Sequence, residues 1–171
     1  MTLGKYVLDA NIFITPFRQY YPFDIAESFW GQMEDRLKLE NVILLDVVRN
    51  ELRKKEDKLA AWLDGIEGLQ VTTVQTQGII QRYGDVVNFL QESPNYTDVA
   101  FRGWASDGIA DGWIVATAME MGAMIITAET GAGPISIKNP SKNAKIPDVA
   151  KHFGVQCEDL FYFMRKMNIK L

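Results

Sequence analysis

The 171-residue chain has little of several things that usually announce a function. It holds one cysteine, Cys157, and one histidine, His152. A single cysteine excludes an internal disulfide framework and suits a reducing compartment. With one residue of each type there is no Cys/His spacing for a zinc centre. Cys157 reads as a buried strand residue, and His152, in Lys151-His152-Phe153, as a structural or surface residue. No apolar run reaches the length of a membrane span: the best stretch, residues 109–128, contains Asp111 and Glu120. Lys5 and Asp9 interrupt any apolar core of a secretory leader, so the expected location is the cytoplasm. There is no Gly-x-Ser-x-Gly. Gly131-Ala132-Gly133 lacks the Gly-Lys-Ser/Thr that completes a phosphate-binding loop. Internal repeats, low-complexity tracts and domain linkers are absent too.

What remains is an ordinary globular composition, 47% hydrophobic and 23% charged, which argues against disorder. The length favours one domain spanning residues 1–171. A domain of this size buries roughly 70% of its unfolded-chain surface. Net charge is −4, a weak argument against nucleic acid as partner when taken globally. Its distribution is uneven. From Gly133 onward, seven Lys/Arg stand against three acids, so the acidic excess lies earlier. Uneven surface charge is common. The sharper alternative gives Lys138, Lys142 and Lys145 phosphate contacts beside an acidic site.

Hydrophobic pattern and turn residues predict alternating strands and helices. Strands are expected at residues 5–8, 42–45, 124–127 and 155–157, with a further short one at 71–74. Asp24 is a candidate N-cap for a helix to about Leu39, with Ile25, Phe29, Met33 and Leu37 on one face. Further helices are expected from Asp46, over 60–66, over 78–90, within 95–104, from Asp107 or Asp111 to near Gly122, over 146–153, and from Asp159. Residues 130–147 read as a long loop. Alternation of this kind points to a three-layer α/β/α sandwich with a mainly parallel central sheet.

Four acids sit where apolar segments end or begin. Asp9 closes Tyr6-Val7-Leu8. Glu51 follows Val42-Ile43-Leu44-Leu45 on a helix, at the margin of the face formed by Val47, Val48 and Leu52. Asp111 opens Trp113-Ile114-Val115-Ala116, and Glu129 follows Met124-Ile125-Ile126-Thr127. Each has a plainer explanation: a cap, a solvated helix position, or a charge complementing a helix dipole. Their joint placement is more telling. Ligands bind parallel sheets beyond the carboxyl ends of the strands, and clustered carboxylates repel one another unless a cation neutralises them. Mg²⁺ or Mn²⁺, which take oxygen ligands, fit such a site. These ions activate water and stabilise charge on a phosphoryl oxygen. Asp107, one turn before Asp111, could face the same site or cap the helix.

Tyr6-Val7-Leu8-Asp9-Ala10-Asn11 resembles the first strand and Asp-x-Asn of the PIN-domain nucleases. Val47-Val48-Arg49-Asn50-Glu51-Leu52 is similar to their second acidic motif. The segment from Ala110-Asp111-Gly112 to Ala116-Thr117-Ala118 is similar to their third, and Thr127-Ala128-Glu129 to their fourth. The likeness in order and spacing covers residues 5–130. The later segment, Lys145-Ile146-Pro147-Asp148-Val149 through Phe153-Gly154-Val155, resembles an uncharacterised bacterial PIN-like subgroup. The resemblance implies a PIN-like fold and a metal-dependent ribonuclease of the VapC type, often the toxin of a toxin–antitoxin pair. It implies that Asp9, Glu51, Asp111 and Glu129 bind Mg²⁺ or Mn²⁺, with Asn11 and Thr127 as hydrogen-bonding partners behind them. Glu129 departs from the commoner Asp, and Asp107 is an extra acid.

The expected activity is cleavage of single-stranded RNA, leaving a 5′-phosphate. Expected partners are the RNA and a cognate antitoxin protein; a homodimer stays open. Two other classes compete. A catalytically inert PIN-like module would act through partner contacts alone. A phospho-acceptor receiver domain would also gather acids around Mg²⁺, but it needs a lysine at the end of a later strand, and none follows one here. Asp9, Glu51 and Asp111 are expected to converge within reach of one ion, with Glu129 at the margin.

Overall fold

The computed structural model describes residues 4–171. In chain order its elements are β1 (Tyr6–Leu8), α1 (Asn11–Gln19), α2 (Glu27–Leu37), β2 (Val42–Ile43), α3 (Asp46–Arg53), α4 (Lys58–Asp64), α5 (Gln77–Glu92), α6 (Asp98–Ala105), α7 (Asp111–Met121), β3 (Met124–Ile126), α8 (Ile146–His152), β4 (Cys157–Glu158) and α9 (Leu160–Lys166). The strands form one sheet in the order β2-β1-β3-β4, and every pairing is parallel. Tyr6 pairs with Val42 on one side and Met124 on the other. Parallel strands need crossovers, which place helices on both faces. The result is the α/β sandwich expected from the alternating pattern.

The central strands are buried on both faces, which is why they read as continuous apolar runs rather than alternating ones. Val7, Leu8, Ile125 and Ile126 are fully buried. Helix α7 packs on β1 and β3 and is backed by α5. It is apolar nearly all round, with Ile114, Val115, Ala116 and Ala118 in the core, as a helix covered on two sides must be. Gly122 ends it in the left-handed region at φ 61°, which glycine enters without a Cβ penalty. Helix α4 starts at an N-cap, Asp57, whose carboxylate accepts from Leu59 N and Ala60 N. Such a cap contributes about 1 kcal/mol.

Three local expectations are corrected. Helix α1 was not foreseen: Pro16 lies inside it and Ile12, Ile14 and Thr15 are β-branched, so local propensity argued against it. Burial of Ile12, Phe13 and Pro16 outweighs that propensity. Asp24 caps nothing, because Ile25 N and Ala26 N both donate to Pro22 O in a turn, and α2 begins after it with Ala26 as N-cap. Ile25 is accordingly exposed, whereas Phe29, Met33 and Leu37 are buried as expected. The stretch 71–74 contributes one bridge, Leu45 to Thr72, rather than a strand. Among the described residues no helix is long and apolar enough to cross a membrane.

Candidate active site

Order β2-β1-β3 puts the chain's reversal of direction at the carboxyl ends of β1 and β3, where open parallel sheets leave a crevice. Asp9 is the residue after β1, and Glu129 comes three residues after β3. Asp111 is the first residue of α7, and Glu51 lies in α3. Four separate elements therefore deliver carboxylates to one edge. Glu51, Asp111 and Glu129 line a single cavity of about 490 Å³.

Asp9 is buried, 5% exposed. Its Oδ2 accepts a 2.7 Å hydrogen bond from Thr127 Oγ1. The same hydroxyl oxygen accepts from Asn11 Nδ2 at 3.3 Å and from Glu129 N at 3.0 Å, and Asn11 Oδ1 accepts from Ala128 N at 2.8 Å. The Thr127 hydroxyl thus uses its one proton and both lone pairs. Asn11 and Thr127 lock the loop after β3 to the loop after β1, and Thr127 fixes the Asp9 carboxylate. The hydrogen bond to Asp9 comes from Thr127, and Asn11 reaches Asp9 only through that hydroxyl.

Burial and neighbouring negative charge both act on the acids. Burial, then the charges of Glu129 and Glu51, push the Asp9 carboxyl up to about 6 against hydrogen bonds that hold it down. Burial, then Asp9, Glu129 and Glu51, push Asp111 up to about 7, partly offset by Lys145. Burial raises Glu51 as well, Lys54 opposes it, and Glu129 adds to it. The charge of Glu129 contributes to the shift of each of the other three. No described residue donates a hydrogen bond to the Glu51 or Asp111 carboxylate. Glu129 Oε2 accepts from Ile146 N at 2.8 Å and so caps the start of α8, whose own N-cap, Lys145, offers no acceptor side chain.

As the side chains stand, no group of three or more His, Cys, Asp or Glu among the described residues is arranged to hold a metal ion. The carboxylates border a common space without closing on one point. The donor set itself, all carboxylate oxygen with unpaired members, has the chemistry that hard divalent cations take.

Asp107 belongs to neither role left open for it. It is exposed in the turn before α7, it does not cap the helix, and its charge raises the Tyr83 phenol after burial has done so. Lys145 faces Asp111, whereas Lys138 and Lys142 are exposed in the loop and do not line the cavity. The cations that do line it are Arg18, Lys54 and Lys55. Sequence reasoning missed them because Arg18 belongs to the unforeseen α1 and the two lysines to an ordinary-looking charged turn. Gly112 explains how Asp111 is seated: a Cβ there would meet Tyr83 Cε2 at 2.9 Å, and Tyr83 stacks on Trp113 with centroids 3.8 Å apart. Cys157 is half-buried; burial, then Asp9, Glu129 and Glu158, push its thiol up to about 12, which disfavours the thiolate. His152 is exposed and stacks on Phe89 at 3.7 Å, away from the acids.

No curated protein matches the chain. A family model described as a domain of unknown function, DUF4411, matches residues 6–171, which include all four acids and the sheet that carries them. The chain belongs to the DUF4411 family.

Proposed function

We propose that this protein is a Mg²⁺- or Mn²⁺-dependent endoribonuclease acting on single-stranded RNA, in the manner of the PIN-domain nucleases that its acidic motifs resemble. One observation supports the reading: four elements carry acids to the switch-point edge of a parallel sheet, where Glu51, Asp111 and Glu129 line one cavity and the carboxyls of Asp9, Glu51 and Asp111 are raised by burial and by neighbouring negative charge. Unrelieved, that arrangement costs stability, and a divalent cation relieves it. Asp9, Glu51, Asp111 and Glu129 would hold the ion, with Thr127 and Asn11 fixing Asp9. When bound, Mg²⁺ or Mn²⁺ supplies an acidified water and neutralises charge on the phosphoryl oxygens. Arg18, Lys54 and Lys55 on the cavity wall would hold the flanking phosphates of the RNA. Hydrolysis would leave a 5′-phosphate. The reading extends to the toxin of a toxin–antitoxin pair, with a cognate protein covering this edge.

A second reading is favoured by the lack of a ligating group of three in the present side-chain positions. In it the chain is an inert PIN-like module acting through contacts alone. The receiver reading has no support at the strand ends, since Thr127 follows β3 and Asp159 follows β4 where a lysine is needed. Incubation with a pool of single-stranded RNA decides between the first two. The nuclease reading expects cleavage in Mg²⁺ or Mn²⁺, abolished by EDTA and by Asp111→Asn. Intact RNA under all metal conditions favours the inert module.

A further inference from the structure

Glu129 borders two cavities. Besides the acidic one it lines a cavity of about 560 Å³, bordered also by Tyr20, Pro147, Glu158, Asp159 and Phe161. Its size falls within the range of small-molecule clefts, about 300–1,000 Å³. Two of its walls are exposed aromatics, Tyr20 at 40% and Phe161 at 45%. They come from α1's C-terminal edge and from α9, far apart in sequence, yet their rings lie 25° from parallel with centroids 6.5 Å apart. Tyr20 is steadied from behind by Tyr21, edge-on at 4.7 Å. Large aromatics are normally buried for their apolar area. A near-parallel exposed pair beside a carboxylate cluster needs an explanation that packing does not provide.

We infer that the Tyr20–Phe161 pair is a nucleobase-stacking subsite for single-stranded RNA adjoining the acidic cavity. The inference rests on the nuclease reading and names where one base of the substrate goes. Charge sorts the two cavities. The acidic one is flanked by Arg18, Lys54 and Lys55, which suit phosphates. The aromatic one carries Glu158 and Asp159 and no lysine or arginine, which repels phosphates but suits a base. Carboxylates there accept hydrogen bonds from exocyclic amino groups, as they do from cytosine N4. Single-stranded chains are commonly held this way, with backbone on a basic track and unstacked bases on aromatic faces. Since Glu129 borders both cavities, a base on this pair belongs to a nucleotide next to the phosphate at the acids.

The test is binding without cleavage. A short single-stranded RNA carrying 2-aminopurine is titrated into the full-length protein in EDTA, with a matching oligonucleotide made abasic at the same position as control. Tyr20→Leu and Phe161→Leu, at exposed positions, are each expected to weaken binding of the base-bearing RNA about 5- to 150-fold. Quenching of 2-aminopurine should be lost, and the salt slope should stay unchanged because no phosphate contact is removed. Neither variant should alter binding of the abasic RNA. Wild-type affinity and quenching in both variants overturn the subsite and leave the nuclease reading standing. Failure of wild type to bind any RNA in EDTA overturns the subsite, while the nuclease reading is decided separately by cleavage in Mn²⁺. Unchanged RNA binding with a lower mass in sedimentation shows that the pair is instead an interface between copies, and also overturns the subsite.

Discussion

Replacing Asp9 by Asn should make the metal-free protein more stable, the opposite of what removal of a buried hydrogen-bonded group usually does. Asp9 is 5% exposed, and its carboxyl is raised from 3.8 to about 6. At about 1.4 kcal/mol per pH unit, keeping it ionised at pH 8 costs the folded state about 3 kcal/mol. Asn keeps an oxygen to accept the Thr127 hydroxyl and removes the charge. An amide is not free to bury either, so about 3 kcal/mol is a ceiling. For a domain of this size that is a rise in Tm of about 6–12 °C, at roughly 2–4 °C per kcal/mol. The sign with pH follows from the raised carboxyl. Its penalty is full above about pH 6, shrinks as pH falls toward 4, and vanishes below the unfolded value. The assay is a thermal melt of both proteins in EDTA at pH 8 and pH 4.5, repeated in Mn²⁺ at pH 8. The variant should melt higher at pH 8, lose most of that advantage at pH 4.5, and fall behind or level with wild type in Mn²⁺, since only wild type gains from the ion. A ligand at 100 times its Kd adds about 2.7 kcal/mol. A variant that melts below wild type in EDTA at pH 8, or an advantage undiminished at pH 4.5, refutes the electrostatic reasoning.

The same linkage applies to wild type. Asp9, Asp111 and Glu51 all have raised carboxyls, so the unfolded state binds fewer protons between about pH 4 and 7. The urea midpoint in EDTA should therefore be higher at pH 5.5 than at pH 8; the reverse order would contradict the cluster. Glu129→Ala should be less stable than Glu129→Gln by about 1–2 kcal/mol in chemical denaturation, since both remove the charge and only Gln keeps an acceptor for Ile146 N. Joint neutralisation of Arg18, Lys54 and Lys55 should weaken RNA binding and lower the salt slope by about 0.7 for each phosphate no longer neutralised, while neutralising Lys138 and Lys142 should leave the slope nearly unchanged in the same titrations. Gly112→Ala should cost about 1–3 kcal/mol in chemical denaturation, because its methyl meets the Tyr83 ring.

Much of the edge that carries the acids was legible in the chain because it depends on short-range order. Asp9 follows an apolar run that is buried on both faces, and Asp111 begins a helix too apolar to lie at a surface. Those patterns fix which end of the sheet each residue occupies. Thr127 and Asn11 were legible only through the family resemblance, since nothing local says that a hydroxyl 118 positions away will bond Asp9. The misreadings have a common cause. Asp24 looked like a cap because the Pro22 turn is set by backbone donors that composition does not display. Helix α1 was hidden by Pro16, and with it went Arg18 and the placement of Tyr20. Asp107 and Asp111 are alike in sequence, yet the turn at 106–108 leaves the first outside the cluster that holds the second. The cap that Glu129 gives α8 was not legible, because Ile146 returns to its carboxylate only after a long loop.

The central claim is that these four carboxylates share a divalent ion. Anomalous diffraction from crystals soaked in Mn²⁺ tests it most directly, because it locates the ion without relying on activity. The account predicts an anomalous peak enclosed by Asp9, Glu51, Asp111 and Glu129 in wild type, absent or much weaker in Asp111→Asn crystals soaked identically. No peak at that edge in wild type, or a peak that persists unchanged in the variant, would contradict it.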